Sequence, residues 1–184
     1  MNSTPTYLGN KALLDMQKVG YLASRKISTL SVLPTLDWAM QTSKQKDIAI
    51  VSGFHSKMER DVLKILLQGQ CAIIIVLARG MYRKLPQQYE EAMAQNRLLI
   101  ISYEKENITR VSETTAHKRN KYVIDLADEM KISEEGFEAF RKLREIAENN
   151  GFPDMTLDEI NEEIRLARAE RERNDKAFQR MKND

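Results

Sequence analysis

Cysteine is almost missing from this 184-residue chain: Cys71 stands alone, so no disulfide can close within it. Histidine is as scarce, and His55 and His117 do not supply the spaced Cys/His pattern of a zinc site. A reduced protein without metal or cofactor is the expectation. Long apolar runs are also missing. The longest, Cys71 to Ala78, is far short of the roughly 20 residues needed to cross a bilayer, so no membrane span is expected. Met1–Asn10 has neither the basic nor the apolar region of a secretory signal, which makes the cytoplasm the expected compartment. Charge of one sign is not in large excess. A formal net charge of +2 falls well short of the basic surface that would by itself indicate nucleic acid.

What is present is enough apolar material, 42% of residues, to bury one sizeable core, as one domain or one domain with an appendage. The charge is unevenly spread. Residues 1–130 hold 18 Lys and Arg against 13 Asp and Glu, and residues 131–184 hold 11 against 14. The chain divides near residue 130. Before it, apolar runs near 18–23, 47–51, 71–77 and 97–102 have the length of buried strands and alternate with helical patterns over Ser31–Ser43, Ser56–Gln68 and Gln87–Asn96. Met58, Val62, Ile65 and Leu66 give the second helix a clear apolar face. This alternation predicts βαβ units, hence a Rossmann-like α/β fold with a mostly parallel sheet and helices on both faces. Pro34 fits best in the opening turn of its helix and would delay its start.

After residue 130 the strand pattern stops, and 131–184 reads as a charged helical extension. Ser133–Glu148 is followed by Asn149-Asn150-Gly151 and Pro153, a helix stop. Thr156-Leu157-Asp158-Glu159 then forms a capping box, and Leu157, Ile160, Ile164 and Ala167 continue an apolar stripe.

Each central apolar run breaks into small, basic or amide residues: Val19–Ala23 into Ser24-Arg25, Ile48–Val51 into Ser52-Gly53, and Ile73–Leu77 into Ala78-Arg79-Gly80. In an open α/β sheet, ligands bind outside the carboxyl ends of the strands, so these turns are where function is expected. Ser24-Arg25 could hold a phosphate by charge-assisted bonds, or be no more than a surface Arg beside a helix cap. Gly53 lets a backbone approach a ligand, with Phe54 and His55 behind it to stack or hydrogen-bond, or else serves only to turn the chain. Arg79, Tyr82, Arg83 and Lys84 form a basic, aromatic loop. His117-Lys118-Arg119-Asn120-Lys121 is the densest positive run and reads as the opening of a helix, where the dipole would add to its charge. Trp38, Cys71 and the methionines are expected to pack.

Taken in order, Gly9-Asn10-x-x-Leu13-Leu14, Val19-Gly20-x-x-x-Ser24-Arg25, Val51-Ser52-Gly53, Leu85-Pro86, Leu99–Ser102 and Arg119-Asn120 resemble the DNA-processing protein A (DprA) family over Tyr7 to Asp128. The resemblance implies an extended Rossmann-like domain, of the superfamily that includes nucleotide-ligand sensors, that binds single-stranded DNA, delivers it to a RecA-type recombinase during DNA uptake, and forms a homodimer. It also implies an anion pocket built from Ser24, Arg25, Ser52, Gly53, Arg119 and Asn120. The chain departs from the family pattern in having Ala23 before Ser24, Lys57-Met58-Glu59 in place of Gly-Ile-Asp, and Leu63 in place of a His. Beyond Asp128, where the family continues with a further strand, the charged extension is expected instead. A second resemblance, over Met155–Arg173, is to the Leu-Asp-Glu-Ile-Asn-x-Glu-Ile tails of some small bacterial antitoxins and regulators.

Two function classes follow. A nucleic-acid binder would join the basic turns, with Arg79, Arg83, Lys84 and Lys118, into one groove whose affinity falls with salt. A nucleotide sensor would close the same turns around one phosphate and one base. His55 and Glu59 are candidates for a polar pocket, and Glu59 is the one acid that could serve catalysis. The Pro-Gly-Gly signature of the phosphoribohydrolase branch is missing, so no enzyme is expected.

Overall fold

The computed structural model describes residues 4–24 and 27–132. Arg25, the helices expected over 133–148 and from 156 onward, and the tail resemblance lie outside the described residues.

Four strands are the expected apolar runs: β2 (Gln17–Leu22), β3 (Ile48–Ser52), β4 (Ala72–Leu77) and β5 (Leu98–Ser102). Every residue of β3, β4 and β5 is buried, as strands covered on both faces must be. Two short strands complete the sheet, β1 (Thr6–Gly9) and β6 (Glu129–Ile132), in the order β1-β5-β4-β3-β2-β6. Strands β2 to β6 are parallel, with Val19 opposite both Ile50 and Glu129, while β1 runs antiparallel to β5. β6 corrects the expectation that the strand pattern ends at 130 and that a further strand is missing beyond Asp128. Its outward residues, Glu129 and Lys131, are exposed, whereas Met130 and Ile132 are buried, an alternation too short to register as a strand by itself.

The helices are α1 (Thr29–Thr42), α2 (Lys57–Gln68), α3 (Gln87–Ala94) and α4 (Glu113–Leu126), with a 3-10 turn over Lys11–Asp15. Alternate strand residues feed two cores. On one face Tyr21, Ile48, Ile50, Ile73 and Ile100 pack with Ala39 of α1, Met58, Val62 and Leu66 of α2, and Ala92 of α3. On the other, Leu22, Val51, Ile74 and Ile101 pack with Leu13 and with Val123 of α4. Trp38 packs on Tyr21 with ring centroids 5.2 Å apart and the planes tilted by 33°, and Cys71 is fully buried, so both pack as expected. Burial lifts the Cys71 thiol to about 11, against a smaller opposing pull from Arg97.

Pro34 corrects its expected place. Ser28 caps α1 through the Leu30 N–H, so the helix starts five residues ahead of the proline, which lies inside it. The bond Pro34 cannot make would have gone to the Leu30 carbonyl, and Leu30 is 86% exposed, where water can satisfy that oxygen.

The chain walks from β2 to β5 with α1, α2 and α3 on one face, then returns through α4 on the other face to set β6 beside β2. The order therefore reverses between β2 and β6, the switch point at which such sheets bind ligands. Asp128 locks this junction: its Oδ2 accepts the Lys18 N–H at 2.7 Å and pairs with Lys18 Nζ at 3.1 Å, while its own N–H donates to the Lys18 carbonyl at 2.7 Å.

Candidate functional site

Ser52 ends β3 fully buried, and its Oγ accepts the Phe54 N–H at 3.2 Å. Phe54 adopts a left-handed φ of 47°, unusual for a bulky side chain and a mark of a turn fixed by its surroundings. It is also buried in the core, so Phe54 is not the stacking surface that its position in sequence suggested. His55 is exposed, and its carbonyl accepts from Arg60.

Gly53 lies between them, and across from it is Arg119. A methyl group at position 53 would overlap Cδ, Nε and Cζ of Arg119, coming within 2.5 Å of Cζ. Glycine is thus what allows the guanidinium stem to lie on the β3 turn. Arg119 is only 7% exposed, and its Nε and Nη2 donate to the Asn120 Oδ1 at 3.0 and 2.8 Å. The Ser-Gly and Arg-Asn pairs, 66 residues apart in the chain, therefore form one unit at the carboxyl edge of the sheet.

α4 supplies that arginine differently from the sequence reading. Ser112 caps the helix through the Thr115 N–H, with Thr115 Oγ1 accepting the Ser112 N–H in return. His117, Lys118 and Arg119 consequently stand in the second turn rather than at the opening, and the dipole of the first turn is not theirs. Lys118 is exposed, with Nζ 3.8 Å from Glu104, and His117 Nε2 is 3.9 Å from Glu113.

The turn after β2 is held from below. Glu59, 3% exposed, accepts the Ala23 N–H at 3.1 Å on Oε1, and the His55 and Ser56 N–H groups at 2.7 and 3.0 Å on Oε2. Ser56 Oγ accepts the Glu59 N–H, closing a capping box on α2. Ser24, half-buried, follows Ala23 directly. The Tyr21 hydroxyl is buried and has no hydrogen-bond partner among the described residues, and burial first, then the Glu59 charge, raises its pKa.

Beside β3, the end of β4 brings Arg79. Its guanidinium lies 4.3 Å over the Tyr82 ring, which meets Tyr89 edge-on, and its carbonyl accepts the Ser102 Oγ at 2.8 Å. The Tyr82 face is thus partly taken by the chain's own cation. Arg83 and Lys84 are exposed further along the loop, before Pro86 opens α3. Among the described residues no cluster of His, Cys, Asp and Glu is suited to a metal, and no helix is long and apolar enough to span a membrane.

Fold and site together define an open Rossmann-like domain with a glycine-backed arginine at its carboxyl edge. The model of the DNA recombination-mediator protein A family matches residues 4–137, and the chain belongs to that family. The resemblance drawn from the ordered turn residues is therefore correct at family level. DNA processing protein A from Streptococcus pneumoniae has a similar structure, at 18% identity and a TM-score of 0.59; the match covers 90% of this chain and 60% of that one. DNA processing protein A from Helicobacter pylori, whose structure addresses its single-stranded DNA binding mode, is similar at 22% identity and a TM-score of 0.60, over 77% of this chain and 67% of that one. At these identities the two structures establish the fold. No curated protein matches the chain.

Gly9-Asn10, which also carried the resemblance, is accounted for by the fold. Gly9 has φ 105° and abuts the Leu98 carbonyl, and Asn10 caps the 3-10 turn and donates to the Asn96 carbonyl.

Proposed function

We propose that this protein binds single-stranded DNA, without catalysis, along the carboxyl edge of its sheet, through the turns at Ser24-Arg25, Ser52-Gly53 and Arg79–Lys84 and through Lys118, Arg119 and Asn120. The observation that carries this reading is the Gly53–Arg119 contact. A guanidinium laid on a turn that has no side chain is a cation held in a fixed place at the strand end, which suits a phosphate. Arg79, Arg83, Lys84 and the exposed Lys118 would extend the electrostatic track for further phosphates, without reading sequence. Family membership supports a DNA-processing role, and the Helicobacter pylori relative supports single-stranded DNA as the ligand. Delivery of that DNA to a RecA-type recombinase during uptake, homodimer formation and a cytoplasmic location complete the proposed role. The division into a binding domain and a C-terminal extension also belongs to it, with the boundary expected at 130 moved past the end of β6 at Ile132.

Anisotropy of a labelled single strand, at two salt concentrations and with duplex and mononucleotide competitors, tests the reading. Arg119→Ala should weaken binding roughly tenfold for all sequences and lower the salt slope by about one. Displacement by one mononucleotide would instead favour the sensor reading. Equal affinity of wild type and Arg119→Ala would remove the arginine from the site.

A further inference from the structure

Rossmann-type sheets commonly seat a phosphate on free N–H groups at the start of the helix that follows a strand. Here two N–H groups at that helix start are already in use. The His55 and Ser56 N–H groups at the start of α2 both donate to Glu59 Oε2, and the other oxygen of the same carboxylate reaches across to the Ala23 N–H after β2. Glu59 is 3% exposed, so this is a built-in anion, not a surface side chain. Its single charge bridges two turns that have no backbone ladder between them at this point, since the β2–β3 pairing closes with Gly20 opposite Val51. The capping box fixes Glu59 itself through Ser56 Oγ.

We infer that Glu59 is a positioning residue for the DNA site: it ties the Ala23 N–H to the start of α2 and so holds the Ser24 turn in register with the Gly53 turn. This rests on the single-strand reading above and names a residue that touches no DNA. The two ways in which Glu59 could influence binding have opposite signs. If only its charge mattered, Glu59→Gln would relieve repulsion and strengthen binding of a polyanion. If it positions, the same change weakens binding. A glutamine has one oxygen for three N–H groups, and keeping the α2 cap leaves its NH₂ facing the Ala23 N–H.

The test uses the full chain, with amide hydrogen exchange and anisotropy on a labelled single-stranded oligonucleotide. In Glu59→Gln, the Ala23 amide should exchange at least tenfold faster while His55 and Ser56 keep their protection. Affinity for the oligonucleotide should fall about fivefold to tenfold, the scale of one lost hydrogen bond. Faster Ala23 exchange with unchanged or tighter DNA binding overturns the positioning role. If Glu59→Gln does not fold, Glu59→Asp, which keeps both oxygens on a shorter stem, serves in its place, with the same two readouts supporting or overturning the role in the same way. Wild-type protein that ignores single strands overturns the binding reading and this inference with it, whereas unaltered Ala23 exchange in the variant overturns the inference alone.

Discussion

Gly53→Ala isolates the contact on which the site depends. The φ of Gly53 is not in the left-handed region, so alanine fits the backbone there, and by chain entropy alone the substitution would stabilise by about 0.4–1 kcal/mol. The added methyl nevertheless overlaps three atoms of Arg119, which has little room to move at 7% exposure. Displacing the guanidinium breaks its two bonds to Asn120, and bonds involving a charged group are worth about 1.5–3 kcal/mol each before rearrangement. The two bonds share one acceptor and cannot be summed, so the net expected cost is about 1–3 kcal/mol. Urea unfolding of the wild type, Gly53→Ala, Arg119→Ala and the double variant closes the cycle. With the arginine gone the clash goes too, so Gly53→Ala should be neutral or stabilising in the Arg119→Ala background. An equal cost in both backgrounds would refute the reasoning, because the methyl would then be clashing with something other than Arg119.

Asp128→Ala should cost about 1–2 kcal/mol in the same assay by removing the acceptor of the half-buried Lys18 N–H and the carboxylate beside an Nζ that keeps its bonds to the Leu14 and Met16 carbonyls, and a change below about 0.3 kcal/mol would mean that the β2–β6 junction does not depend on it. Arg97 donates to the carbonyls of Cys71 at 3.0 Å and Leu67 at 2.9 Å, so Arg97→Met should cost about 2 kcal/mol, and an unchanged urea midpoint would exclude that anchoring role. On the alkaline side, the Cys71 thiol ionises at about 11 in the folded protein against an ordinary value of 9.0. The folded state therefore holds its proton longer; this contribution is complete below pH 9.0 and is lost as the pH rises through about 11, which urea titrations at pH 8 and 10.5 on wild type and Cys71→Ala would show. A wild type no more pH-sensitive than Cys71→Ala would contradict the shift.

The central sheet was legible because β3, β4 and β5 are buried on both faces and must be continuously apolar whatever surrounds them. The edge strands were not. Thr6–Gly9 and Glu129–Ile132 are four residues each, and they become strands only through partners about a hundred residues away, Leu99–Ser102 and Val19–Leu22. α4 began earlier than expected because its cap closes on Thr115, where a Glu or Gln is the usual sign. Of the candidate site, the turn residues were readable as small or basic breaks after apolar runs. That Gly53 makes room for Arg119 was not, since the contact joins two elements far apart in the chain. Glu59 could be read as an acid but not as a tie between turns, because its Ala23 partner is a backbone group and leaves no trace in residue type.

The antiparallel β1 and the late-arriving β6 bear on how the protein folds. Strands β2 to β5 can assemble in chain order, each beside the one before it. β6 must insert next to β2 after α4 has crossed the sheet, and the resulting Val19–Glu129 register is among the longest loop closures in the domain. Such closures are slow because chain entropy is lost before contacts compensate for it. Arg119 rides on the element that makes this closure. The proposed DNA site is therefore expected to mature with the last step of folding, so that in stopped-flow refolding oligonucleotide binding should lag the signal of Trp38, which reports the earlier α1 face.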